Sequence, residues 1–177
     1  MSIFQIRTDY FKGLANKNKL IGHDRFLSGS AGPKRKSFHR INDEEEINAA
    51  CINWAHFPCM VHFGFSGKYS EKENEVKKRL VLNDLIILDK VKAPTDMASI
   101  QEKRDSTFSL MEDIIAHMLE QFEEDQYCSP FQNLDLSLFS FSEYGPLNST
   151  LYGWRLSFND EQFPNNLNSS DPLKWHE

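Results

Sequence analysis

Cys51, His56, Cys59 and His62 are the side chains most suggestive of chemistry, standing in the order Cys-x4-His-x2-Cys-x2-His. Zinc takes such donors when four of them converge on a tetrahedron, usually from tight turns. The stretch CMVHFGF around the second pair instead alternates as a strand does. It places Cys59, Val61, Phe63 and Phe65 on one side and Met60 and His62 on the other. Donors on opposite faces cannot meet at one ion, so the expectation is no metal, with His56 and His62 as ordinary polar residues near a structural boundary.

Other catalytic patterns fail on similar grounds. There is no GxSxG elbow and no serine spaced beside a base. Glu44, Glu45 and Glu46 suit the start of a helix, where carboxylates meet the positive end of the dipole. Asp84 and Asp89 have no identifiable partner for acid–base work. SGSAGPKRKS contains glycines but lacks the GKS or GKT ending of a phosphate-binding loop. The sequence therefore predicts no catalytic residue, no cofactor and no enzyme.

What remains is charge. PKRKSFHR carries Lys34, Arg35, Lys36 and Arg40 around Phe38, directly after the small residues and proline of SGSAGP. Such a segment has little apolar surface to offset its ordering entropy, so it reads as a loop that binds a partner or stays solvated. Residues 1–40 sum to +7 and residues 41–177 to −13, within a net charge of −6. A basic arm on an acidic body is steered towards acidic surfaces, including the body of another copy. Phosphate contacts by the lysines and arginines, with Phe38 stacking on a base, make a nucleic-acid-binding module the alternative.

The elements that must position these residues follow from composition and periodicity. With 177 residues, 40% of them hydrophobic and 26% charged, the chain has the makings of one domain with its own core. Fourteen phenylalanines against five methionines predict a core built with large rings. Three cysteines do not define a disulfide framework and favour a reducing compartment. No run approaches the roughly 18 apolar residues of a membrane span, and MSIFQIRTDYF lacks the features of a secretion signal, so synthesis in the cytoplasm is expected.

Tyr10, Phe11, Leu14 and Ala15 sit at helical spacing after Thr8, a candidate N-cap. A second short helix is expected over about 43–52, capped by Asn42 or Asp43. SGKYSEKENE reads as a connection. VKKRLVLNDLIILDKV reads as a long hairpin, with Val76 and Leu80 beginning one edge and a bend at Asn83 and Asp84. The strongest periodicity follows KAPTDMAS: Ile100, Thr107, Phe108, Met111, Ile114, Ile115, Met118 and Phe122 recur at threes and fours to about residue 124, behind a Ser99–Glu102 capping box. Burying five such side chains contributes roughly 8 to 15 kcal/mol, as much as the net stability of a domain. Leu134, Leu136 and Leu138 read as the start of a strand whose parity breaks at Phe139, and SEYGPLNST as a turn. LYGWRLSF forms a last strand with Trp154, Leu156 and Phe158 on its buried face and Arg155 opposite. The result is an α+β fold: a mixed or mainly antiparallel sheet packed against a long amphipathic helix, with an extended loop and terminal arms. Its expected divisions are an N-terminal segment and basic loop at 1–42, a compact core at 43–160 and a C-terminal arm at 161–177. Phe163, Leu167, Leu173 and Trp175 would anchor that arm on another subunit or, without a partner, wrap back over the same domain.

FPCMVHFGF, the helix around SLMEDIIAHMLEQF, and LYGWRLSF followed by DPLKW occur in an order that resembles small neck, tail-terminator or tail-completion proteins of tailed bacteriophages and prophages. The resemblance covers about residues 43–175. It implies a structural subunit made in the bacterial cytoplasm and carried in the virion, which forms an oligomeric ring at the tail end or head–tail junction. The implied partners are copies of itself and neighbouring neck or tail proteins, with DNA passing close by without base reading. Lys34, Arg35, Lys36 and Arg40 would contact an acidic neighbour or line the passage. Trp154, Arg155 and Trp175 would lie at subunit boundaries.

Overall fold

Ser2 opens the first helix, its hydroxyl accepting the Phe4 amide, and α1 then runs over Ile3–Lys17. The helix begins a turn and a half before Thr8, whose hydroxyl donates to the Phe4 carbonyl inside the helix instead of capping it. At the other end the Asn18 side chain accepts the amides of Leu20 and Ile21. The computed structural model describes residues 2–27, 32–53, 55–64, 66–71, 77–124, 130–131 and 134–162. Residues 28–31 of the small-residue loop, Phe65, Val76 and the arm from Phe163 through Trp175 therefore lie outside the described residues.

Strand β1 (Phe38–Ile41) leads into α2 (Glu44–Asn53). Asp43 accepts the Glu46 amide while the Glu46 carboxylate accepts the Asn42 amide, a reciprocal cap close to the expected start. Strands β2 (Cys59–Phe63), β3 (Ser66–Glu71) and β4 (Lys77–Lys90) follow. Ser66–Glu71, expected as a connection, pairs along Lys77–Leu82. Lys77–Lys90, expected as a hairpin, is one strand. Its pairing with β6 (Leu151–Gln162) runs unbroken from Arg79 to Lys90 through Asn83 and Asp84. The long helix, α3 (Met97–Glu124), starts earlier than the expected box: Asp96, not Ser99, is the cap, accepting the Ser99 amide at 3.1 Å.

Leu136–Leu138 form a short 3-10 turn capped by Asp135, so the expected strand begins only at β5 (Phe139–Leu147). That explains the parity break: a 3-10 turn projects side chains with a period of three, and Leu136 is left exposed. SEYGPLNST proves to be mostly strand, with the reversal confined to Asn148–Thr150, where Asn148 and Ser149 take positive φ of 49° and 59°.

The six strands form one sheet in the order β1-β2-β4-β6-β5, with β3 added to β4; only the β1–β2 pair is parallel. Both faces are covered. Helices α1 and α3 lie on one face over Met60, Leu85, Ile87, Leu156 and Phe158. On the other face α2 brings Ile47 and Ala50 against Cys59, Val61, Ile86, Leu88 and Leu151. Met60 and His62, placed by sequence opposite the better core side, are thus fully buried as well. The first core is aromatic as composition foretold: Phe158 meets Phe11, Phe131 and Phe139 at centroid distances of 6.2, 5.5 and 4.8 Å. Because Phe11, Leu14 and Ala15 enter this core and β1 completes the sheet, the packed unit starts near residue 3, not at 43.

Candidate interaction surfaces

The expected partner residues divide by what their side chains already do. Arg35 is half-buried. It donates to the carbonyl oxygens of Phe57 at 2.6 Å and Pro58 at 3.4 Å, and through Nε to the Ser37 hydroxyl. It clamps the segment before β1 onto the turn before β2. Lys36 contributes its backbone to the same junction, its amide donating to His56 Nδ1 and its carbonyl accepting the His56 amide, while its side chain is exposed. His23 Nδ1 accepts the amides of Ser37 and Phe38, which fixes its proton on Nε2, facing Asp24; burial lowers the pKa of this ring. Lys34 is exposed, bridges Phe26 in a short antiparallel contact, and holds its ammonium 5.6 Å from the centre of the Phe26 ring. Arg40 is exposed and donates to Asn42. The basic segment is therefore built into the fold at its backbone and at Arg35, and it presents Lys34, Lys36 and Arg40.

Trp154 lies beneath α3. Its Nε1 donates to the Arg104 carbonyl at 3.0 Å, and its ring meets Phe108 at 4.8 Å and Phe141 at 5.9 Å. Within this chain it joins β6 to α3. Arg155, on the opposite face, donates to Asp84 at 2.6 Å and lies over the Phe63 ring. Ser157 also donates to Asp84. Trp175 falls outside the described residues.

Adjacent residues on β4 serve opposite faces. Asp84 faces α2's side and meets Arg155. Asn83 faces α1 and accepts from Arg7, whose guanidinium also pairs with Asp160 and lies 5.3 Å from the Phe131 ring. Arg7 and Asp160 are both fully buried. Burial lowers the pKa of Arg7, and Asp160 opposes that shift. This network was missed in the sequence, although the signal was there: Arg7 precedes Phe11 by four residues and so lies on α1's buried stripe.

His62 is buried 4.7 Å from Phe11, and desolvation, reinforced by the charges of Arg40 and Arg7, pushes its pKa down to about 3. It is a neutral core side chain and not the polar boundary residue expected from sequence, because α1 covers the face of β2 that alternation had set opposite the better core side. Among the described residues no group of three or more His, Cys, Asp or Glu side chains is placed to hold a metal ion. A groove of about 450 Å³ lies open between the end of α1 and α3, lined by Leu14, Lys17, Leu20, Asp113, Ile114 and His117 among others. Compared with protein-family models, curated proteins and solved structures, the chain matches none. No described helix is long and apolar enough to cross a membrane.

Proposed function

We propose that the chain is a structural subunit of a phage or prophage neck or tail assembly, forming an oligomeric ring at the tail end or head–tail junction. The observation that supports this most is the state of the β5 edge. Nine residues long, it is largely exposed and carries Phe141 with 57% of its surface accessible. Among the described residues β5 pairs on one side only, with β6, and a sheet edge with an exposed aromatic is a surface that another chain can cover, by strand addition or side-chain docking. The partners are copies of this chain and neighbouring neck or tail proteins, and DNA passes near without being read. Location in the virion after synthesis in the bacterial cytoplasm belongs to the same reading.

Electron microscopy of the native particle, with the chain carrying an affinity label, tests it. The label is expected at one level of the tail or neck, repeated around the axis. A label absent from intact particles would overturn the proposal. The nucleic-acid alternative draws on the exposed Lys34, Lys36 and Arg40; it requires salt-sensitive DNA binding by the monomer that weakens when the two lysines are neutralised.

A further inference from the structure

The molecule has two unlike surfaces at opposite sides of the sheet. One is the tip leading into β1. Here Leu20, Phe26 and Leu27 are 60%, 49% and 49% exposed, and the exposed cations Arg25, Lys34 and Lys36 stand among them. Asp24 is the only acidic residue between positions 17 and 40, so this apolar surface has a basic rim.

The other surface is the margin where α3 overlies β5. Phe141 is exposed there and packs edge-on against Phe108 of α3. Asp105 and Glu112 stand three residues before and four after Phe108, on the same ridge of the helix, and both are exposed. The cations nearest on α3 are already engaged, Lys103 with Asp89 at 3.0 Å and Arg104 with Glu143 at 3.3 Å. The exposed side chains of α3 include seven carboxylates and no lysine or arginine. A solvated helix face ordinarily mixes both signs, which makes this uniform one a match for a basic partner.

We infer that the tip of one copy, Phe26 and Leu27 with Lys34 and Lys36, docks on the α3–β5 margin of the next, against Phe141 and between Asp105 and Glu112. This deepens the ring reading by naming the contact and rests on it only for closure. The occupant is a second copy because each chain carries both halves of the complement. Within one chain the residues of this contact lie apart: Phe26, Leu27, Lys34 and Lys36 precede β1 at one edge of the sheet and Phe141 stands on β5 at the other, with β2, β4 and β6 between them, about 19 Å at the usual strand spacing. The tip meets its own α3 where Asn18 donates to Asp113 beside Leu20. Contact between different patches on identical chains is heterologous, the type that propagates into rings or filaments.

Charge exchange tests the contact. Lys34→Glu with Lys36→Glu makes the tip acidic, and Asp105→Lys with Glu112→Lys makes the margin basic. Sedimentation velocity should show the wild-type chain associating more weakly as salt rises. Each double variant alone should need about a hundredfold higher concentration to associate, and an equimolar mixture of the two should associate again, because every tip then meets a margin of opposite sign. Carbodiimide coupling of mixed isotope-labelled wild-type chains should join Lys34 or Lys36 of one chain to Asp105 or Glu112 of another, a readout that does not depend on any variant folding. The inference is overturned if the wild-type chain stays monomeric and uncoupled to its solubility limit, if either folded variant associates as the wild type does, or if the mixture stays apart. Labelled rings in native particles that tolerate both reversals would leave the ring reading standing and remove this contact alone.

Discussion

Arg7 and Asp160 hold the first and last described elements together from inside the core, where neither charge reaches water. Such a pair adds little over a well-packed apolar replacement, but removing one partner strands the other, at a cost of about 3–5 kcal/mol. Asp160→Asn is therefore expected to lower unfolding free energy by that amount in urea titrations, and Arg7→Met combined with Asp160→Leu to recover most of it. Equal losses in the single and double variants would contradict the coupling. His62 adds a pH dependence of definite sign. Its pKa is about 3 in the folded chain against 6.5 for an unperturbed histidine. Between those values the unfolded chain binds a proton that the native chain does not. Stability present above pH 6.5 is thus lost as pH falls towards 3, and the loss levels off below that. His23 and His39, also lowered by burial, act in the same direction. His62→Leu should flatten the acid limb of a plot of denaturation midpoint against pH; an unchanged slope would contradict this.

At the scale of elements, the long β4–β6 ladder organises everything else, because it carries apolar residues to both faces and gives α1, α2 and α3 their seats. Gly153 permits its closeness: a methyl group there would collide with the Ile87 carbonyl of the neighbouring strand. Gly153→Ala should therefore destabilise the fold by about 1–3 kcal/mol, the usual cost of overpacking, read as a lowered thermal midpoint. An unchanged midpoint would mean that the ladder is looser than described. The glycine of LYGWRLSF is thus a requirement of strand packing, and the neighbouring Trp154 and Arg155 are committed to α3 and to Asp84.

For the whole molecule, the lopsided charge acquires a geometry. The basic N-terminal region does not hang from the body as a separate arm; α1 and β1 are packed into it, and Arg35 is bound to the turn before β2. Lys34 and Lys36 are consequently displayed from a fixed platform on one side of the sheet, while the carboxylates of α3 occupy another surface. A fixed platform lowers the ordering cost of a contact relative to a disordered arm, which favours a repeated geometry of the kind a ring needs.

By itself the sequence determined the elements whose signal is local. Met111, Ile114, Ile115 and Met118 recur at helical spacing and are buried in α3, and Leu156 and Phe158 alternate onto the buried face of β6. The α+β class followed, because a one-sided helix and apolar strands must cover each other. Tertiary structure alone decided the features that depend on distant partners. Polar residues such as Asn83 and Asp84 look like a strand break until Arg7 and Arg155, far away in the chain, arrive to satisfy them. Ser66–Glu71 has too few apolar residues to read as a strand, yet its backbone hydrogen bonds to β4 hold it in one. Periodicity reports only which way a side chain points along its own element; burial, and the partner that makes burial tolerable, are set by what packs across from it.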